Sequence, residues 1–250
     1  MNHRQRVDAC REISSRLLQR YPEDIVATAV FGSVARGEDL EHSDIDFQVL
    51  VRERVRLSSH FFVLDDCFFS IVVKTEESWR IELTEPESGL CLSAGSLMAV
   101  LPIYDPSGAF ARLRTMAKAL PQESWKSAIR EGIAGIVEDL GRVRNQYAQA
   151  DYTNFRLFSV LVAIGMAKVY GDLGRRMLKT DKDLNRVFEE SGGPECEPAR
   201  AYRVAARLVE ANDHDTMDAL EWLNDFLMRE ALKQSAMPQI CKSTRSYIPP

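Results

Sequence analysis

The first half of the chain alternates between helical and strand-like spacing of its hydrophobic residues. Residues 7–18 place apolar side chains every three or four positions, which predicts an amphipathic helix that ends near Tyr21 and Pro22. Short β-branched runs at 25–31 and 45–51 predict two strands. The next predicted elements are a hairpin over 61–73 that turns at Asp65 and Asp66, a helix from Thr75 to Leu83, a strand at 100–104, and a helix that starts at Asp105 and Pro106.

After Pro121 the strand-like runs vanish and helical periodicity continues almost to the end of the chain. The apolar stripe of one long helix comprises Trp125, Ile129, Ile133, Ile136, Leu140 and Val143. Further helices are predicted at 153–170, 181–190, 197–211 and 215–235. The pattern therefore predicts an α/β (α+β) domain with a mixed sheet at residues 1–120, followed by an all-α helical bundle at residues 121–250.

Composition and charge argue against proteins that bind duplex nucleic acid or span a membrane. The 250 residues carry a formal net charge of −5, with 45% hydrophobic and 28% charged residues. This acidic balance argues against a duplex nucleic acid as partner, because its phosphates require a basic protein face. The five cysteines lack metal-binding spacing, and no apolar run approaches the roughly 20 residues of a membrane span. We therefore expect a cytoplasmic protein that binds neither nucleic acid nor membrane.

Two aspartates one residue apart are the feature that folding explains least. In a strand, alternate residues share a face, so Asp44, Asp46 and Gln48 should lie on an open face opposite the apolar residues. Their mutual repulsion is relieved by a cation, and Mg²⁺ prefers one or two carboxylates together with phosphate oxygens. The alternative is a polar strand face with two solvated aspartates.

The residues upstream of the pair favour the metal-binding interpretation. Gly32 and Ser33 form a turn that offers backbone amides and a hydroxyl to an anion, and Arg36 adds a positive charge. A strand, a Gly-Ser turn, an arginine and an Asp-x-Asp strand at this interval resemble the signature of the nucleotidyltransferase superfamily that includes DNA polymerase β.

Further segments resemble one branch, the kanamycin (aminoglycoside) nucleotidyltransferases. They are Val100–Gly108 with Ala117 and Lys118, Glu138–Asn145, and Ile248 with Pro249. The resemblance implies an N-terminal nucleotidyltransferase domain, a C-terminal helical bundle, and a homodimer with active sites shared between subunits.

The same resemblance implies roles for individual residues. Asp44 and Asp46 would bind Mg²⁺, and the Gly32 turn with Ser33 and Arg36 would hold nucleotide phosphates. Glu138 would be the general base, and Arg142 would contact the triphosphate. For Glu138 and Arg142 the alternative is a surface ion pair between residues i and i+4.

The chain departs from this pattern at several positions. Ser70 stands where the superfamily places a third carboxylate. Phe61, Ala134 and Gly135 stand where the aminoglycoside enzymes carry acids that hold the cationic sugar. An alternative register anchored on residues 136–139 recovers two acids at the cost of a one-turn gap, and the ungapped register is preferred.

These observations predict an Mg²⁺-dependent enzyme that transfers a nucleoside monophosphate to a hydroxyl of a small molecule. The expected donor is ATP or another nucleoside triphosphate, the expected product carries AMP, and aminoglycosides are the first acceptors to test. The alternatives are adenylylation of a protein or RNA, or a nucleotide-binding protein whose turnover is impaired, which Ser70 would explain.

Overall fold

The computed structural model describes residues 1–55 and 57–238, so Ile248 and Pro249 lie outside the described residues. These residues form two compact units. The first comprises Met1–Glu85, Leu92–Pro121 and Met177–Thr180, and the second comprises Pro86–Cys91, Gln122–Arg176 and the chain from Asp181 onward. The domain boundary between residues 120 and 121 stays a prediction.

The first unit is built around a five-stranded mixed sheet with the strand order β3-β4-β2-β1-β5. The strands are β1 (Ile25–Phe31), β2 (Ile45–Val51), β3 (His60–Leu64), β4 (Cys67–Thr75) and β5 (Leu101–Tyr104). The helices are α1 (His3–Arg20), α2 (Gly32–Arg36), α3 (Glu76–Thr84), α4 (Leu90–Ser96, whose first two residues belong to the second unit) and α5 (Ala109–Lys118). The β2 and β4 strands run parallel, whereas the other neighbours run antiparallel.

Several local predictions for this unit are confirmed. Asp65 and Asp66 have φ angles of 49° and 58°, which are the left-handed values of a tight hairpin turn. The Thr75 hydroxyl accepts a hydrogen bond of 2.9 Å from the Ser78 amide and so caps α3. The turn and the cap both follow from short-range chemistry, which is why the sequence alone predicts them.

The helix predicted to start at Asp105 begins four residues later. The Asp105 carboxylate accepts hydrogen bonds from the amides of Ala109 at 2.7 Å and Phe110 at 3.1 Å. Gly108 precedes the helix at a φ angle of 69°. Asp105 therefore reaches back to the first turn across a short loop instead of lying directly at the helix start.

The sheet face that carries Asp46 and Gln48 is less open than the alternation predicts. On the opposite face, α1 packs on a core that includes Val7, Phe47 and Phe69. On the Asp46 face, the Phe31 ring stacks on Trp79 of α3 at a centroid distance of 6.2 Å, and Gln48 is only 5% exposed. Helices on both faces bury polar strand residues too, whereas the β3–β4 end of the Asp46 face stays open, with Phe61 63% and Phe68 44% exposed.

The second unit is helical. Its helices are α6 (Gln122–Ala148), α7 (Tyr152–Leu173), α8 (Glu197–Ala205) and α9 (Asp213–Lys233). The predicted helix at 181–190 is instead two short 3-10 helices, Asp181–Arg186 and Glu189–Ser191. The predicted helix at 197–211 ends at Ala205, because the chain turns to a left-handed φ of 55° at Arg207. Within the described parts of the chain, no helix has both the length and the apolarity required to cross a membrane.

Candidate active site

The Gly32 turn brings the start of α2 against the Asp46 carboxylate. Phe31, the last residue of β1, pairs with Asp46 of β2 in the sheet. Gly32 follows at a φ of 65°, and a β-carbon at this position would lie 2.4 Å from Asp46 Oδ2. Because both the backbone angle and the close approach exclude a side chain, glycine is required here.

The two aspartates interact electrostatically, as the Asp-x-Asp spacing predicts. Burial raises the pKa of Asp46, the negative charge of Asp44 raises it further, and the positive charge of Arg36 partly offsets both. Asp44 is exposed, whereas Asp46 is half-buried. Holding both carboxylates ionised in this position is therefore unfavourable without additional positive charge.

Arg36 supplies part of that charge but is already engaged. Its Nε donates to Glu38 Oε2 at 2.6 Å, and its Nη1 donates to the Lys179 carbonyl at 3.3 Å. The Arg36 side chain is 11% exposed, whereas that of Glu38 is 64% exposed. An incoming phosphate would compete with the exposed Glu38 carboxylate for this guanidinium. This competitor was not predicted from the sequence, although it lies only two residues from Arg36.

Ser33 follows Gly32 in α2, and Ser70 lies beside Asp46 in the sheet. Ser33 is half-buried in α2, and its carbonyl accepts a hydrogen bond of 3.0 Å from the Glu38 amide. Ser70 of β4 pairs directly with Asp46, and Phe61 of β3 pairs with Ser70. The register therefore places a hydroxyl, and not a carboxylate, on the strand beside Asp46.

The donor set at this end of the sheet fits a hard divalent ion. Among residues 1–55 and 57–238, no group of three or more His, Cys, Asp or Glu side chains is arranged to hold a metal ion. A pair of carboxylates nevertheless matches the way Mg²⁺ binds, since this ion completes its shell with water and substrate phosphates. The raised pKa of Asp46 is the second observation in favour, because a cation would relieve the repulsion that causes part of it.

Glu138 and Arg142 lie in the second unit, on α6, and pair with each other. Arg142 Nη2 donates to Glu138 Oε1, and Arg142 Nη1 donates to Asp139 Oδ1 at 2.9 Å. The side chains of Glu138 and Arg142 are 67% and 56% exposed. This geometry is the surface ion pair that the sequence left open as an alternative, and the catalytic roles of both residues stay a prediction. Ala134 and Gly135 on the same helix are also exposed.

The fold is similar to that of a known crystal structure. A nucleotidyltransferase-like protein from Exiguobacterium sibiricum 255-15 superposes with a TM-score of 0.51, covering 90% of this chain and 78% of that protein. The two sequences are 13% identical, so this likeness concerns the fold alone.

Sequence comparisons concern the activity as well as the fold. Residues 10–92 match the family described as nucleotidyltransferase domain, and this range contains the Gly32 turn and both aspartates. The chain is 29% identical over 175 residues to proteins named aminoglycoside nucleotidyltransferase (4') from Staphylococcus aureus and from a Bacillus species. Each alignment covers 68% of this chain and 68% of the relative. The chain is therefore a nucleotidyltransferase enzyme, with its nucleotidyltransferase domain in the sheet-containing part of the molecule.

Proposed function

We propose that the protein transfers a nucleoside monophosphate, AMP from ATP, to a hydroxyl of a small molecule and releases pyrophosphate. The observation that carries this proposal is the Asp46 carboxylate, which is half-buried beside a second aspartate and against a turn where only glycine fits. A protein that needed only stability would not keep two like charges in this position. A divalent ion with a triphosphate supplies the positive charge and phosphate oxygens that the pair lacks.

The residues of this chain divide the chemical tasks in the proposed reaction. Asp44 and Asp46 would hold Mg²⁺, which neutralises negative charge on the triphosphate when it is bound. Arg36 and the Ser33 hydroxyl orient the phosphates, with Arg36 exchanging its contact to Glu38 for one to phosphate. The acceptor oxygen bonds to the α-phosphorus while the bond to pyrophosphate breaks, and Glu138 takes the hydroxyl proton. Arg142, which pairs with Glu138 in this structure, would likewise exchange that carboxylate for a phosphate of the triphosphate, as proposed for Arg36.

Aminoglycosides are the first acceptors to test, since two relatives carry that substrate class in their names. Ser70 and Phe61 argue for a wider panel, because the positions near Asp46 offer a hydroxyl and an apolar ring to the acceptor. The panel therefore includes neutral hydroxyl compounds beside cationic amino sugars. A cationic acceptor is best held by negative side chains, and neither Ser70 nor Phe61 provides a negative charge.

The test is incubation with α-labelled ATP, Mg²⁺ and the acceptor panel, followed by measurement of pyrophosphate release and labelled product. Asp44→Ala and Asp46→Ala should abolish both signals while folding is preserved. Asp66→Asn, in the exposed hairpin turn, is the control and should keep full activity. Label that enters a protein or RNA from a cell lysate would instead support the macromolecular acceptor. Mg²⁺-dependent ATP binding without turnover on any acceptor would favour impaired catalysis at Ser70.

The homodimer is part of the same proposal and has its own test. Sedimentation velocity measures whether the protein is dimeric at assay concentrations. Asp46→Ala and Glu138→Gln subunits, each inactive alone, are then mixed. If Asp46 and Glu138 of one active site come from different subunits, mixing restores activity to a fraction of the dimers. If both come from the same chain, the mixture stays inactive.

A further inference from the structure

The loop over residues 37–44 links the two halves of the proposed site. It runs from Arg36 at the end of α2 to Asp44 just before β2. Inside the loop, the Leu40 amide donates to Ser43 Oγ at 2.8 Å, and the Ser43 amide donates to the Leu40 carbonyl at 3.0 Å. The position of Asp44 therefore depends on what holds this loop to the rest of the unit.

Arg6 of α1 attaches the loop to this helix through two hydrogen bonds. Its Nη1 donates to Asp39 Oδ2 at 2.7 Å, and its Nη2 donates to the Glu41 carbonyl at 2.7 Å. The side chains of Arg6 and Asp39 are only 2% and 1% exposed. One guanidinium thus fixes two points of the loop, and water is excluded from the ion pair.

Two further contacts strengthen the same attachment. His3 Nδ1 lies 2.5 Å from Asp39 Oδ1, so both carboxylate oxygens of Asp39 are engaged from α1. Burial alone would raise the pKa of Asp39, but the hydrogen bonds from His3 and Arg6 outweigh it and hold the pKa below its usual value. On the other side, Cys67 Sγ donates to the Ser43 carbonyl at 3.5 Å.

We propose that Arg6 is a positioning residue for the divalent ion, acting through Asp39 and the Glu41 carbonyl on Asp44. The inference rests on the proposed function, since it assumes that Asp44 and Asp46 bind the ion. Asp44 and Asp46 repel each other, and a loosely held loop would let Asp44 move away from Asp46. The buried Arg6–Asp39 pair resists that movement, so the carboxylates stay together before the ion arrives.

The experiment removes the attachment without leaving a buried charge unpaired. Replacing a buried ion pair by hydrophobic residues is often neutral for stability, so Arg6→Met combined with Asp39→Leu should fold. Mn²⁺ binding is followed by electron paramagnetic resonance in the presence of a non-hydrolysable ATP analogue. The double variant should bind Mn²⁺ about tenfold more weakly, as is typical when a residue behind a metal ligand is lost. Its kcat at saturating Mg²⁺ should change far less than its half-saturating Mg²⁺ concentration.

A matched control lies on the same helix. Arg16 and Glu12 of α1 form an exposed ion pair at 2.7 Å, and Arg16→Met with Glu12→Leu should leave Mn²⁺ binding unchanged. Arg6→Lys keeps the charge but cannot span both loop contacts, so we expect Mn²⁺ affinity between those of the wild type and the double variant. If the double variant does not fold, the Mn²⁺ affinity of Arg6→Lys is compared with that of the wild type instead.

The outcomes separate this inference from the proposed function. Wild-type Mn²⁺ affinity in a folded double variant, or in Arg6→Lys when the double variant is unfolded, overturns the positioning role alone. A wild-type protein that binds no Mn²⁺ with any nucleotide overturns the proposed function and the positioning role together. Weakened Mn²⁺ binding with an unchanged urea unfolding midpoint supports positioning, because a purely structural contact would change the midpoint first.

Discussion

Replacing Asp46 with asparagine should stabilise the metal-free protein while it removes activity. Asparagine has nearly the same shape as aspartate and carries no charge. The variant therefore keeps the close packing against Gly32 and removes the repulsion from Asp44. A residue kept for stability would show the opposite effect on the free energy of unfolding.

The magnitude follows from the strand geometry. Residues two apart in a strand have Cα atoms about 7 Å apart, and two unit charges at that distance interact by about 2 kcal/mol at an effective dielectric constant of about 20. Water screens the exposed Asp44, and the variant also loses the attraction to Arg36. We therefore expect a net stabilisation of about 1 kcal/mol at neutral pH.

The pH dependence gives the sign of the effect independently. Because the pKa of Asp46 is raised in the folded state, the folded protein binds this proton more tightly than the unfolded chain does. The wild type therefore loses stability as the pH rises from about 4, the usual pKa of aspartate, through the folded pKa. The advantage of Asp46→Asn should grow over the same interval and then remain constant.

Urea unfolding with EDTA measures the effect, and a second series with Mg²⁺ and an ATP analogue should reverse it. Asp65→Asn is the matched control, because Asp65 lies in an exposed turn that asparagine also favours. A variant that is less stable than the wild type in EDTA, or that keeps its transferase activity, would refute the reasoning.

Four other substitutions give further expected outcomes. Gly37→Ala should cost about 1 kcal/mol, since its φ angle is left-handed, and Gly32→Ala should cost more, because its β-carbon would also lie 2.4 Å from Asp46 Oδ2. Only Gly32→Ala should also lose activity, because its new carbon meets a carboxylate whereas that of Gly37 meets open space. Glu38→Gln should lower the KM for ATP about twofold by freeing Arg36; an unchanged KM would contradict this competition. Asp213→Asn should cost about 2 kcal/mol at pH 7, because two arginines lower the Asp213 pKa to about 2. That difference should fade as urea titrations move from pH 4 towards pH 2, and a pH-independent difference would argue against it.

Local chemistry explains why many elements could be predicted from the sequence. The hairpin at Asp65 and Asp66 needs left-handed angles that aspartate tolerates, and the α3 cap needs a hydroxyl three residues before its partner amide. The Gly-Ser turn and the strand that carries Asp46 were predicted in the same way, from spacing within 15 residues, whereas Asp44 lies just before that strand. Where the prediction was wrong, as at the start of α5, a loop of a few residues intervened that no local pattern distinguishes.

The sequence by itself determined the strands, most of the helices, the likeness to nucleotidyltransferases and the pair of aspartates, because each depends on neighbours close along the chain. The tertiary structure decided the burial of Gln48, the pairing of Asp46 with Ser70, and the attachment of the Asp44 loop by Arg6. These properties join residues more than 20 positions apart, or depend on which helices cover a sheet face. Hydrophobic periodicity shows that a face is buried, but only packing decides which partner lies on it.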